Sequence, residues 1–350
     1  MTNTSGKKLF LFTVGFPFGN YETSFLTQEI PILARYFDKV YLIPSQATTS
    51  KPLLTLPENV ETLIFDFSSK LKQKRIKNYY DALIIVAREI FTSGNFKSIK
   101  NIRYHLSETV NFSVLANELN TFLQTKLDSK KDVCYSYWLD EWASILSIVK
   151  ENYINDIKIV SRAHGFDLYD YRHSKGYIFP RHLQLKNVEK VIAVSANGAS
   201  YLAKKYPSQK DKMHYSRLGV SCDNNKINSE KKKELITLVS CSGVIKLKRI
   251  HLIAKILMCS ENQIKWVHFG DGPLLREVKE ICKNLPDNVT VELSGNVTNS
   301  EIKKYYATNF VDWFINVSQF EGIPVSMMEA ISYGIPIIAT AVGGNVEIVL

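Results

Sequence analysis

Residues Val311 to Val349 read VDWFINVSQFEGIPVSMMEAISYGIPIIATAVGGNVEIV, and this stretch decides the fold. VDWFINVS is apolar and rich in β-formers, the mark of a buried strand. SQFEGIP follows as a turn. Pro324 suits the first helical position, because no amide hydrogen is needed there and its φ is preset. The helix then runs from Val325 to Tyr333 and stops at Gly334, a left-handed cap. IPIIAT is a second buried strand, and AVGGN is another tight turn. Together these form a βαβ unit with a loop at the carboxyl end of its first strand. In open α/β sheets ligands bind at that end.

Two carboxylates stand out, Glu321 in the loop and Glu329 in the helix, with seven residues between them. Val325, Met328 and Ile331 make an apolar stripe on the helix, and Ser326, Glu329 and Tyr333 a narrow polar one. A carboxylate on so apolar a helix must find donors or bear a large desolvation cost. Sugar hydroxyls are suitable donors. The amides of Gly322, Ile323 and the first helical turn lack intrahelical acceptors and favour an anion such as phosphate. Acceptors for hydroxyls beside donors for an anion suit a nucleotide-sugar. The competing reading is a capped helix in a parallel sheet with Glu329 salt-bridged nearby.

EGIPVSMMEAISYGIPIIATAVGGNVEIV resembles, without a gap, the E-x7-E segment of the retaining glycosyltransferases of family 4. That resemblance implies a GT-B fold: two Rossmann-like, doubly wound parallel-sheet domains facing across a cleft. It also implies that Glu321 binds donor-sugar hydroxyls and Glu329 the ribose diol, with Gly322, Ile323, Pro324 and Val325 lining the diphosphate.

At 350 residues the chain can hold two full cores, and its 45% hydrophobic content is that of a globular protein. Its five cysteines, Cys134, Cys222, Cys241, Cys259 and Cys282, are scattered. No Cys-x-x-Cys pair or Cys/His cluster points to structural zinc, and the usage suits a reducing compartment. The N-terminal apolar run is too short for a signal peptide, and no stretch has the length of a membrane span. The expectation is a cytoplasmic protein, or one held peripherally on the inner face of the plasma membrane. All of the +10 net charge falls within residues 1–220. A basic half fits nucleic acid, an anionic membrane or a phosphate-bearing acceptor.

Residues 1–221 read as the N-terminal, acceptor-side domain. KKLFLFTV (7–14) opens it, followed by the loop GFPFGNYET and a helix from Ser24 to Phe37 containing Pro31. Strands follow at 40–45 and 60–68. SSKLKQKRIKNYY (68–80) carries five cations, two tyrosines and no acid. It reads as a helix that is either solvated or in contact with a membrane. The segment from 81 to 126 is helical in pattern, with ALIIVA buried. The strand DVCYSYW (132–138) presents Tyr137 and Trp138 at its end, where aromatics can stack on a sugar but more often pack. IKIVSRAHG (157–165) runs out into His164, Gly165 and Asp167, and Asp167, with Asn20, Tyr137 and Trp138, is a candidate for contact with the acceptor. A lone His is usually structural, but RAHGFD resembles the family's histidine-bearing loop facing the donor sugar. The resemblance likewise places Gly19 and Asn20 near the acceptor and donor phosphates, although the family's usual glycine pair is missing. Strand 190–195, helix 196–206 and strand 214–221 complete the domain.

The polar run within 222–234 reads as a linker, and 235–350 as the C-terminal nucleotide-sugar domain. CSGVIKLKRI follows a strand and opens a helix over 249–260, with Lys248 and Arg249 in its first turn. Cations are unfavourable at a helix N-terminus unless an anion is there. In the family an Arg precedes the Lys by five residues. Here Gly243 stands in its place, so Arg249 replaces the missing guanidinium beside Lys248. HFGDGP sets Gly270 and Gly272 where backbone can approach a ligand closely. Ser294, Gly295 and Val297 fall where the family's backbone holds the base. Thr298 and Glu301 form a capping box. The family continues past the point where this chain ends, with one more strand and a crossing helix, so the second domain reads as truncated.

The implied reaction is retaining hexosyl transfer from a nucleoside diphosphate sugar to a hydroxyl. The acceptor the resemblance implies is a lipid-linked glycan, as in the family's surface-polysaccharide pathways. No cofactor and no metal are expected, since Asp-x-Asp and HExxH are both absent. Glu321 and His164 are the catalytic candidates. A nucleotide-sugar epimerase or hydrolase of the same fold is the alternative. A non-enzymatic nucleotide or nucleic-acid binder ranks below it, because no RNA-binding signature accompanies the basic residues.

Overall fold

A computed structural model describes the chain except for residues 1–5, 20–21, 47–51, 53, 94–100, 175, 222–233 and 350. Asn20 and nearly all of the expected linker therefore lie outside the described residues. The chain divides into two compact units, Met1–Arg217 and Leu218–Leu350. Ser221 belongs to the second unit, where its hydroxyl accepts from Lys303 Nζ at 3.0 Å.

In the first unit the strands are β1 (Lys8–Thr13), β2 (Lys39–Pro44), β3 (Val60–Thr62), β4 (Val133–Ser136), β5 (Ile159–Ala163), β6 (Lys190–Ala193) and β7 (Met213–Tyr215). The helices are α1 (Thr23–Tyr36), α2 (Phe67–Lys70), α3 (Ile76–Ser93), α4 (Ile102–Lys126), α5 (Glu141–Asn152), α6 (Arg181–Asn187) and α7 (Ala196–Lys205). The sheet is parallel, in the order β3-β2-β1-β4-β5-β6-β7. The second unit alternates β8 (Ile236–Cys241), α8 (His251–Leu257), β9 (Ile264–Phe269), α9 (Leu275–Cys282), β10 (Val289–Gly295), α10 (Asn299–Thr308), β11 (Trp313–Asn316), α11 (Val325–Ser332) and β12 (Ile337–Ala339). Its parallel sheet runs β10-β9-β8-β11-β12.

Strands covered by helices on both faces need apolar residues without alternation, and the central strands read that way. Leu238 and Trp266 are register partners that pack with Ile253, Leu257 and Val278 on one face. Their neighbours Val239 and Val267 pack with Tyr306, Met327 and Ala330 on the other. The Thr298 hydroxyl accepts from Glu301 N at 3.3 Å while Glu301 Oε2 accepts from Thr298 N at 2.8 Å, completing the capping box that opens α10.

Several boundaries differ from the sequence reading. β3 stops at Thr62 rather than 68, and β7 at Tyr215 rather than 221. The basic run is not one helix. α2 ends at Lys70, and Asn78 Oδ1 accepts from Arg75 N at 2.9 Å, capping a new start at Ile76. Of ALIIVA, Ala82, Ile85 and Val86 are buried but Leu83 and Ile84 are exposed. On α11 the core face is Met327, Ala330 and Tyr333; Ile331 points to solvent. Pro324 caps α11 instead of occupying its first turn, with φ −80° and ψ 109°.

Strand order reverses between β1 and β4 in one unit and between β8 and β11 in the other. Loops at the carboxyl ends of such strand pairs are where open α/β sheets bind ligands.

Candidate functional site

At the β8/β11 reversal three loops are stitched together. Arg249 Nε donates to Val317 O at 2.7 Å and its Nη2 to Ser318 O at 3.1 Å. Gln319 N donates to Leu247 O at 2.8 Å, and Thr340 Oγ1 to Ser318 O at 2.6 Å. Arg249 itself adopts φ 52°. α8 begins at His251, so Lys248 and Arg249 precede it in a turn closed by Lys248 N on Ile245 O. The expectation that Arg249 clamps a diphosphate is thus corrected: its guanidinium binds the carbonyls that end β11 and positions the loop carrying Glu321.

Lys248 takes a different place. Its Nζ lies 2.5 Å from Oε1 of the buried Glu321, which also accepts from Asn316 Nδ2 at 3.2 Å. Asn316 is oriented in turn, because its Oδ1 accepts from Ser318 N at 3.0 Å. Glu321 Oε2 takes no donor among the described residues. The amides of Gly322, Ile323, Val325 and Ser326 likewise have no protein acceptor among them, and no side chain caps α11. A buried carboxylate with one open oxygen, a lysine and an uncapped helix start therefore meet where the loops after β8 and β11 join. That set can accept from hydroxyls and donate to an anion.

Glu329 sits one helical stretch on, buried, its Oε1 accepting from Asn299 Nδ2 at 2.7 Å. It has no salt bridge among the described residues, so the ion-paired reading does not hold. Burial pushes its carboxyl up, and the Asn299 amide and Lys303 only partly offset this. An acid whose folded pKa is raised destabilises the fold as pH climbs from its unfolded pKa through its folded one. Glu329→Gln keeps an acceptor for Asn299 and removes that penalty. We expect the variant to melt at a higher temperature than the parent at pH 7 and at the same temperature at pH 4. If Glu329 grips a ribose diol, nucleotide affinity falls roughly tenfold in the same variant. Calorimetry across pH with nucleotide titration checks both.

The glycines of HFGDGP permit a close approach within the unit. A Cβ on Gly270 would lie 1.9 Å from Ser242 O, and one on Gly272 2.6 Å from Val244 O. They admit the neighbouring loop after β8. Gly270 N donates to Gly295 O at 2.7 Å, and Val297 packs on the core. Beside them Ser240 Oγ accepts from Trp266 Nε1 at 2.9 Å and meets His268 Nδ1 at 2.8 Å. Burial lowers His268 to about 4, so it is neutral at physiological pH.

In the first unit the β1–α1 loop closes on Glu22, a residue the sequence reading passed over. Its buried carboxylate accepts from the amides of Val14, Gly15 and Phe16 at 2.9–3.0 Å and from Trp138 Nε1 at 2.7 Å. Gly19 N closes the turn on Gly15 O at 2.9 Å. Among the described residues of that loop, the amides of Val14, Gly15 and Phe16 are thus occupied by the chain's own carboxylate.

His164 is buried against Trp138, 4.1 Å between ring centres, and Tyr137, 5.1 Å. Its Nδ1 stands 3.8 Å from Asp167 Oδ2, beyond hydrogen-bond reach, and neither ring nitrogen makes a hydrogen bond among the described residues. Tyr137 lies wholly in the core and cannot stack on a sugar, which corrects its candidacy. Asp167 is corrected too. It is buried and ties two loops, accepting from His164 N and Leu139 N at 2.8 Å each. Burial pushes its carboxyl up, but His164 and these amides outweigh that and hold it below the usual range. Arg181, fully buried, donates to Leu139 O at 3.0 Å and to Asp167 O, bracing the same loops. Trp138 alone of the aromatic pair remains half-buried beside His164.

Residues 223–350 match the family model described as "Glycosyl transferases group 1". Over 107 residues the chain is 34% identical to alpha-monoglucosyldiacylglycerol synthase of Streptococcus pneumoniae, covering 29% of this chain and 24% of that protein. It is 25% identical over 203 residues to the putative colanic acid biosynthesis glycosyltransferase WcaL of Salmonella typhimurium, covering 55% of this chain and 49% of that one. The matches thus span about a quarter to a half of these relatives' lengths. The fold is similar to that of Anabaena Alr3699/HepE in complex with UDP and glucose, with TM-score 0.64 at 16% identity, over 98% of this chain and 83% of that one. The two parallel-sheet units are those of the GT-B fold.

Proposed function

We propose that the protein moves a hexosyl group from a nucleoside diphosphate sugar to a glycan hydroxyl, with retention; the match of residues 223–350 to the group 1 glycosyl transferases supports this. One observation carries the reading: Glu321 and Lys248 share a hydrogen bond at the foot of an uncapped helix start. In the proposed reaction the bond from the anomeric carbon to the diphosphate oxygen breaks, its electron pair leaving with the phosphate. Lys248 and the amides at 322–326 stabilise that charge by preorganised electrostatics. The acceptor hydroxyl attacks from the same face and passes its proton to the departing phosphate. Glu321 holds the sugar hydroxyls through Oε2, and Glu329 holds the ribose diol. His164, buried with neither ring nitrogen hydrogen-bonded among the described residues, is the first unit's candidate for the donor sugar. The residues named supply this chemistry without a cofactor.

The names of two relatives, a glycolipid synthase and a colanic acid glycosyltransferase, support a lipid-linked or polysaccharide acceptor. The cysteines described are unpaired, which supports action in the cytoplasm.

A panel of nucleoside diphosphate sugars, each followed by thermal shift and then by nucleotide release, tests the proposal. One donor should raise the melting temperature and stay intact until an acceptor glycan is added. Donor consumed without acceptor would point to a hydrolase or epimerase. Inverted anomeric configuration in the product, read by NMR, would refute retention.

A further inference from the structure

α3 carries apolar side chains on two opposite faces. Ala82, Ile85, Val86 and Ile90 face the interior of the unit. On the other side Ile76, Tyr80, Leu83 and Phe91 stand 90%, 64%, 55% and 82% exposed. At 3.6 residues per turn, positions 76, 80, 83, 84, 87 and 91 fall on one stripe, and Ile84 and Ala87 are the exposed residues that complete it. Single apolar side chains on a surface mean little, whereas a continuous stripe marks a docking face.

Charge identifies what it docks to. The turn leading into α3 exposes Lys72, Lys74 and Arg75, none with a carboxylate partner among the described residues. Lys70 is paired with Glu118 at 2.9 Å, and Lys77 lies over the Tyr153 ring. The two acids of α3 are turned away from the stripe. Glu89 is buried, and Asp81 accepts from Asn152 and Ser113. The exposed face is thus apolar along its length and cationic at one end, with no acid on it. Among the described residues no helix is long and apolar enough to cross a membrane.

We infer that α3 and the turn before it form a docking surface for an anionic lipid bilayer. The helix lies in the plane of the interface, the Ile76–Phe91 stripe entering the boundary of the acyl chains while Lys72, Lys74 and Arg75 meet lipid phosphates. The inference rests on surface chemistry alone and is independent of the glycosyl-transfer reading.

Co-sedimentation with vesicles of phosphatidylcholine mixed with phosphatidylglycerol tests it, against vesicles of phosphatidylcholine alone. The protein should pellet with the mixed vesicles, less so as salt rises, and weakly with the neutral ones. Neutralising Lys72, Lys74 and Arg75 together as Gln should weaken binding roughly hundredfold. The double variant Ile76→Ser, Phe91→Ser should weaken it at least about tenfold. All five side chains are exposed, so melting temperature and nucleotide-sugar binding should not change in either variant. No binding to anionic vesicles, or binding that neither variant alters, overturns the inference. So does self-association in sedimentation velocity that the Ser variant abolishes, which would make a second copy the occupant.

Discussion

Glu321→Ala should lower the transfer rate at least about a hundredfold while leaving the chain folded. Two features set that size. Glu321 Oε1 already binds Lys248 and Asn316, so the carboxylate is fixed before any substrate arrives. Its position is set by groups that do not move with it: Asn316 ends β11, and Arg249 pins the carbonyls of Val317 and Ser318. Ala removes both the sugar's acceptor and the anion that orients Lys248. The stability cost is modest, about 1–2 kcal/mol, because Lys248 keeps contact with solvent once its partner is gone. The converse variant, Lys248→Ala, is harsher on the fold, since it strands a buried carboxylate beside one neutral amide. Turnover at saturating donor, with calorimetric melting as the control for folding, decides the matter. A Glu321→Ala enzyme that transfers at the parent's rate would end the assignment.

The second large effect concerns backbone. A Cβ at Gly344 would sit 1.9 Å from Gly322 O, and one at Gly343 1.9 Å from Glu321 O, with Gly343 also at φ +50°. In each case the obstacle is main chain, which cannot swing aside like a side chain. Gly344→Ala must push the Glu321 loop away by more than an ångström, at a cost of about 3 kcal/mol or more. Donor affinity should fall with stability, because the displaced loop carries the carboxylate. Gly334 supplies the control. It has φ +74° but nothing within 4 Å of its Cβ direction, so Gly334→Ala should cost only about 1–2 kcal/mol of backbone strain. Urea unfolding of the two variants side by side is the measurement. Equal losses would mean that the close approach of the two loops carries no energy.

Much of the fold was legible because parallel strands buried on both faces leave a strong local signal. The runs KLFLFT, ITLVSC and IKWVHF each became a strand, as did VTVELSG at the sheet edge, and Thr298 with Glu301 became a capping box. The E-x7-E spacing brought both acids to the β11–α11 segment, and both are buried there with donors. Glu22, Asn299 and Asn316 gave no such signal. Each is an ordinary polar residue whose value comes from a partner that no spacing rule points to: Trp138 for Glu22, Glu329 for Asn299, and the loop carboxylate of Glu321 for Asn316. Trp138 was legible as a strand-end aromatic, but its place between Glu22 and His164 was not.

The sequence by itself determined the alternation of strand and helix, the two-unit architecture and the pair of acids at a helix start. Those features depend on periodicity, on turn residues and on spacing within a few turns, which a linear string records. Only the tertiary structure decided what each candidate does. It gave Arg249 to the carbonyls of β11, Tyr137 to the core, Asp167 to loop bracing and the glycines after β9 to a neighbouring loop. It also turned half of α3 outward. Periodicity reports that a helix has apolar positions, but which face meets the protein is set by packing partners remote in the chain.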